Sequence, residues 1–203
     1  MANNRILDKI NDISLIPNFV SLHLSVVPNT YHIEQQAKEL IQQNFYHDRL
    51  LYFTKEIHAW GGTYRNLNKV LDSIKPQYFI DSWAALCQTP PQIGLALTSV
   101  MRVNGLGISY ASKHLRFLKP DICPILDEII HKQLKYSSSP NGYLKYSRDT
   151  KEICQMLENN KIVNPMNRDN QAWYCADVDM GIFAYIQKIL LKSRIWNNCL
   201  PIN

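Results

Sequence analysis

Leu97-Thr98-Ser99-Val100-Met101-Arg102-Val103-Asn104-Gly105-Leu106-Gly107-Ile108-Ser109-Tyr110-Ala111-Ser112-Lys113-His114-Leu115-Arg116-Phe117-Leu118 is the stretch on which the fold turns. An apolar helical run enters Asn104-Gly105-Leu106-Gly107, and a second helix leaves it with Ile108, Ala111, Leu115 and Leu118 three or four residues apart on one side. Gly105 and Gly107 let the chain reverse tightly, so 97–118 reads as a helix-hairpin-helix. The start of the second helix gathers backbone N–H groups and the positive end of the helix dipole, a favourable place for a phosphate. Gly105, Gly107 and Ser109 are therefore backbone-contact candidates, and Arg102, Lys113, Arg116 and Lys119 supply positive charge around them.

Outward from the hairpin the pattern stays helical. Only 7 glycines and 10 prolines punctuate the chain, and apolar residues mostly recur at three- and four-residue steps. Helices are expected over 33–45, 48–59, 64–74, 76–87, 91–103, 109–118, 126–134, 147–158 and 169–191, with Thr30 near the first as an N-cap and Gly61-Gly62 ending the second. Val20 to Val27 reads differently, as a short strand or extended arm. Unequal helix lengths and interrupting prolines fit an all-α, two-lobed orthogonal bundle rather than a regular four-helix one. The seam between the lobes is expected near 136–141 or crossed by the termini, so no sequence-continuous boundary is drawn and 1–203 is taken as a single unit.

Composition narrows the function classes. With 46% hydrophobic and 19% charged residues the 203-residue chain is no disordered segment, and 22 Lys and Arg against 17 Asp and Glu give +5, a balance suited to a polyanionic partner. Five cysteines, at 87, 123, 154, 175 and 199, include no Cys-x-x-Cys, which argues against a disulfide framework, a zinc ribbon or a four-cysteine iron–sulfur cluster. Six histidines lack His-Glu-x-x-His spacing, and there is no P-loop, dinucleotide fingerprint or serine-nucleophile elbow. No metal or cofactor is expected. The opening residues lack a long apolar core, and the runs 93–100 and 189–191 are too short to cross a bilayer, so a cytoplasmic protein is expected.

Past the hairpin, Lys119-Pro120-Asp121-Ile122-Cys123-Pro124-Ile125-Leu126-Asp127 forms a loop, 119–127, that presents Asp127 at the start of the next helix. A hairpin, a proline-containing loop and an aspartate together resemble the helix-hairpin-helix DNA glycosylase superfamily. More narrowly, Ala111-Ser112-Lys113-His114-Leu115-Arg116-Phe117-Leu118-Lys119-Pro120 is similar to its bacterial 8-oxoguanine glycosylase-like branch, with a looser likeness around Trp173, Ala176-Asp177-Val178-Asp179 and Phe183. The resemblance implies excision of a flipped base from double-stranded DNA by a monomeric enzyme, with Asp127 as catalytic acid residue. It also allows a structural monovalent cation on the carbonyls of 104–107.

One departure bears on mechanism. The lysine that acts as nucleophile in the bifunctional enzymes of that branch falls on Ser109, which cannot form a Schiff base. Either the enzyme is monofunctional, with Asp127 stabilising the sugar cation and orienting water, or Lys113, one helical turn on, takes over; the first reading is preferred. Trp60, Tyr64, Trp83 and Trp173 are the candidates to hold the extruded base, although Trp83 and Trp173 are as readily core residues. Asp177 and Asp179 are two apart on one helix, so at most one faces the cleft; Asp177 is carried as the pocket candidate. A damaged base, as in repair, and a modified base of invading phage DNA both remain as substrates. The competing class is a non-catalytic helix-hairpin-helix module that grips DNA through phosphates, with Asp127 only a helix cap; a helical interaction protein without nucleic acid leaves the basic surroundings unexplained.

Overall fold

A computed structural model describes residues 4–27 and 29–197; Cys199 lies outside the described residues. Among them there are α-helices and no strands: α1 (Ile16–Val26), α2 (Thr30–Gln42), α3 (His47–Trp60), α4 (Leu67–Ser73), α5 (Pro76–Leu86), α6 (Ile93–Val100), α7 (Ile108–Leu118), α8 (Glu128–Leu134), α9 (Pro140–Asn159), α10 (Cys175–Tyr185) and α11 (Arg194–Asn197). The all-α expectation holds. Among the described residues no helix is long and apolar enough to cross a membrane.

Of the residues expected to be a strand or arm, 20–27, all but Val27, the C-cap, lie instead in α1. Val20, Leu22, Leu24 and Val26 alternate as a strand would, but Ile16, Phe19, Val20 and His23 recur at helical spacing and are buried together with Leu22. Pro17 sits in the first turn, where its missing N–H costs nothing. Packing against α10 decided the outcome over local β-propensity. At Gly181 of α10, an added Cβ would come within 2.9 Å of Ile16 Cγ2 and 3.1 Å of the Ile16 carbonyl oxygen, so glycine sets how closely the two helices approach.

Other boundaries moved as well; α2 starts and ends three residues early, with Thr30 its first residue and Asn29, not Thr30, at the N-cap. The break at 136–142 is shorter than its composition implies, because Ser139 accepts a hydrogen bond from the Gly142 N–H at 3.1 Å and Pro140 opens α9 directly behind it. The expected helix over 169–191 is split into a 3-10 turn (Asp169–Gln171), α10 and a π-helical turn (Ile186–Leu190). Cys123, Cys154 and Cys175 are buried free thiols.

The core is one contiguous set of buried apolar side chains reaching from Ile6 to Ile186, with a small satellite of Phe19, Leu22, Ala184 and Trp196. Helix α7 runs through it: every residue of 111–118 is buried, including Lys113, His114 and Arg116. His114 fits because the Tyr110 carbonyl accepts from Nδ1 at 2.7 Å, leaving Nε2, 3.3 Å away, as acceptor for the Thr54 hydroxyl. Burial pushes its pKa down to about 4, so the ring is neutral at physiological pH.

Gly181→Val overpacks the α1–α10 contact against backbone as well as side chain. Urea unfolding is expected to show a loss of about 1–3 kcal/mol, with Gly181→Ala smaller; an unchanged midpoint for the valine variant would contradict the close approach.

Candidate functional site

Helix α6 hands over to α7 through the turn at 101–107. Gly105 has φ +96, a conformation that L side chains rarely adopt, and Gly107 stands in extended backbone as the N-cap of α7 without a side-chain cap. Both glycines are exposed. Arg102 is exposed too, 3.0 Å from Asp81 and stacked 4.3 Å from the Tyr78 ring. The carbonyls of Asn104 and Gly107 are engaged, by Ser73 Oγ at 3.3 Å and the Ala111 N–H at 2.9 Å, so the turn offers only part of a carbonyl set for a cation.

The 119–127 loop is fastened from three directions. Ser112 Oγ accepts from the Leu126 N–H at 3.1 Å, Tyr143 donates to the Pro124 carbonyl at 3.1 Å, and the Pro120 carbonyl takes the Ala176 N–H at the start of α10 at 3.0 Å. The loop delivers Asp127 to the N-cap of α8, where Oδ1 accepts from the Ile130 N–H at 2.8 Å. A capping role and a site role coincide in this residue, since its half-buried carboxylate also lines a cavity.

That cavity, about 180 Å³, collects Asp127, Lys113, Asp179 and His23 with Trp60, Gly61, Met180, Phe183, Val27 and the isoleucines 125, 129 and 130. Six water-sized shares at ~30 Å³ each would fill it, room of the order of one flat heterocycle. Lys113 is 7% exposed, and its ammonium donates to Ser109 Oγ at 3.1 Å and lies 4.7 Å from the Tyr110 ring centre. Burial lowers its pKa, against the opposing pull of Asp127 and Asp179. Burial raises Asp179 to about 7, with the Asp127 charge adding to it and a 2.6 Å hydrogen bond from the Tyr146 hydroxyl opposing it. His23 is pushed down to about 3, by burial first and the Arg116 charge second, and its Nδ1 has no hydrogen-bond partner.

The sequence-derived candidates divide sharply. Asp127, Lys113 and Trp60 meet at the cavity, and Ser109 holds the Lys113 ammonium instead of presenting itself to a phosphate. Trp60 reaches the site from the end of α3, its ring edge-on to Phe117 with centres 5.2 Å apart and its Nε1–H turned to Thr30 Oγ1 at 3.2 Å. Tyr64 is 66% exposed and takes no part in the lining. Trp83 borders a separate hollow of about 580 Å³ with Glu34, Phe117 and Arg168, whose charges are already matched to one another. Trp173 is a core residue, 1% exposed, donating from Nε1 to the Ile162 carbonyl at 2.7 Å.

Arg116 and Asp177 are corrections of another kind. Arg116 is fully buried, with Nη1 2.9 Å from Glu34 Oε1 although not aligned as a hydrogen bond, and Nη2 donating to Met180 Sδ at 3.5 Å. Its position on α7 turns it inward, so it does not contact a surface phosphate. Arg168 completes the cluster, gripping Glu34 at 2.7 and 2.9 Å and Asp177 at 2.6 and 3.0 Å, while Asn164 donates to Asp177 Oδ2 at 2.9 Å. Asp177 is thereby an internal counter-charge, and the acid of α10 that lines the cavity is Asp179. Its signal was in the sequence: two carboxylates two apart in an otherwise apolar helix, which therefore need separate buried partners. His23 carried no such signal.

Comparison of the chain with family models, with curated proteins and with solved structures finds no match.

Two stability measurements check these environments. Glu34→Gln leaves two buried guanidinium groups to share Asp177 and is expected to cost about 3–5 kcal/mol, whereas Arg102→Ala at an exposed pair costs less than about 1 kcal/mol. The pH dependence has a definite sign. Unfolded histidine binds a proton below about pH 6.5 whereas folded His23 and His114 stay neutral, so stability falls as pH drops; Asp179 opposes them, keeping in the fold a proton that the unfolded chain releases above about pH 4. His23 and His114 against Asp179 leave a net loss on the order of 1 kcal/mol per pH unit between about pH 6 and pH 5, and His58, whose pKa burial also lowers, adds to it in the same direction. His23→Phe, removing one of these histidines, should flatten that slope in urea titrations; an unaltered slope would show that His23 is not held neutral.

Proposed function

We propose that the protein is a DNA glycosylase that takes a damaged or modified base out of duplex DNA into the cavity beside Asp127 and cleaves its N-glycosidic bond. The observation that carries the reading is the meeting of Asp127, Lys113 and Trp60 at one cavity of base-like size, with Asp127 delivered by the loop that follows the glycine turn. On this reading the α6–turn–α7 unit is a helix-hairpin-helix, and the molecule is two helical lobes with DNA lying across the cleft between them. The uncapped first turn of α7 and exposed Gly105 and Gly107 suit backbone contact with a phosphate. Arg102 is available to a second phosphate by exchanging its exposed partner Asp81.

Extruding the base costs a few kcal/mol, least for a mispaired or damaged one. Trp60 and Phe183 supply the apolar faces against which a flat ring packs. As the C1′–N bond lengthens, positive charge grows on the sugar, and the Asp127 carboxylate, in a partly dehydrated site, stabilises that charge more than it stabilises the neutral substrate. Water then adds at C1′, oriented by Asp127, in the monofunctional reaction.

Burial of Lys113 favours the second chemistry more than the sequence alone did. A lysine with a lowered pKa has a larger share of free amine, the form that attacks C1′ and goes on to a Schiff base and strand cleavage. Ser109 then serves to hold that amine in place. The purely DNA-binding reading leaves unexplained why a buried lysine and two acids surround an otherwise apolar hollow.

Duplexes carrying 8-oxoguanine, uracil, hypoxanthine or 5-hydroxymethylcytosine, incubated with the protein and then treated with alkali, report base loss as strand breaks. Asp127→Asn is expected to lower excision by about a hundredfold or more while DNA affinity persists; equal activity would remove Asp127 from the mechanism. Borohydride separates the two chemistries: a trapped adduct that disappears in Lys113→Ala identifies the amine as nucleophile, and no adduct with the active wild type identifies water.

A further inference from the structure

We propose that Asp179 is a catalytic acid: its carboxyl group, lying in the cavity with Asp127, hands a proton to the base as that base leaves the sugar. The inference rests on the glycosylase reading and adds to it a second carboxyl group with a distinct role. Asp179 is 3% exposed on α10 and lines the same cavity as Asp127 and Lys113. Its Oδ1 accepts from the Tyr146 hydroxyl at 2.6 Å, which fixes the orientation of the carboxyl group.

The other polar groups of the cavity are each unsuited to the task. Asp127 has to be ionised to stabilise the sugar cation. The Lys113 ammonium, if it persists, repels that cation, and as a free amine it has no proton to spare. His23 is held neutral.

The groups facing Asp179 decide its protonation. Tyr146 on α9 and Arg116 on α7 favour the ionised form, Lys113 on α7 lies in the same cavity, His23 on α1 is neutral, and Asp127 at the start of α8 repels a second negative charge. Burial is the largest influence and outweighs the rest, so the group titrates near 7, where it both holds a proton and gives it up readily. Two carboxyl groups in one cavity are thereby separated into an acid and a base by their surroundings.

The step balances. The C1′–N bond breaks with its electron pair going to the base, and the Asp179 proton passes to a nitrogen or oxygen of that base, leaving a carboxylate held by Tyr146. Water adds its oxygen to C1′ and releases one proton to Asp127. The net change is one water consumed and one neutral base released, and exchange with solvent returns a proton to Asp179 and removes the one on Asp127.

Single-turnover excision of whichever panel base the wild type removes, followed from about pH 5.5 to 9, tests the assignment. The wild-type rate is expected to fall about tenfold per pH unit on the alkaline side of about pH 7. Asp179→Asn should be slower by about a hundredfold at pH 6 and lack that alkaline limb, with DNA affinity retained; Asp179→Glu should restore a limb. An Asn variant with wild-type rate and profile, or one uniformly slower with the limb intact, overturns the proposal, the latter by showing a merely positioning role. Should the Asn variant not fold, Tyr146→Phe decides: removing the donor to Asp179 moves the limb to higher pH if Asp179 is the acid, and an unmoved limb overturns it. A wild type that excises no base of the panel counts against the glycosylase reading itself, whereas excision with an Asp179-independent profile counts against this inference alone.

Discussion

The burial of α7 is the constraint from which the rest of the structure follows. From 111 to 118 the helix has no exposed residue, yet it carries Lys113, His114 and Arg116. Two cations and an imidazole inside a low-dielectric core are tolerable only if each meets a partner or gives up its charge. The helix spreads the three over different directions: Arg116 towards Glu34, His114 between Tyr110 and Thr54, and Lys113 into the cavity beside two carboxylates. The internal acids of α2 and α10 and the polar end of the site are consequences of that one helix.

This arrangement separates charges that hold the fold from charges available for chemistry. Glu34, Arg116, Arg168 and Asp177 are bonded mainly to each other and leave little capacity for a ligand. Around the cavity the partners are neutral groups: Lys113 donates to the Ser109 hydroxyl, Asp179 accepts from the Tyr146 phenol and the backbone at Ile125, and His23 Nδ1 has no partner. An unsatisfied buried polar atom such as His23 Nδ1 is costly to stability.

The helical periodicity made most of this architecture legible. Helices α3, α5, α7 and α8 lie close to their expected bounds because their apolar spacing, the proline opening α5 and the glycines behind α3 act locally, whereas α2 is displaced by three residues at each end. Helix α1 was misread because a β-branched alternating stretch looks the same whether it will pair with a strand or lie against a helix, and only its distant partner α10 settles the matter. At the site, Asp127, Lys113 and Trp60 were legible since each is tied to a turn or a helical offset. The inward turn of Arg116, and the exchange of roles between Asp177 and Asp179, depend on which neighbours surround a given face of a helix, information that spacing within one segment does not contain.

Gly181 seats α10 against α1, and the two helices bring Asp179 and His23 to a shared hollow from opposite ends of the sequence. During synthesis α1 is therefore made long before its partner, and its apolar side has nothing to lie on until α10 has left the ribosome. Closing so long a loop is entropically unfavourable until the contact forms, which makes this docking a late event. A chain in which α10 is not yet made consequently lacks an assembled hollow, since Asp179, Met180 and Phe183 are missing from its lining.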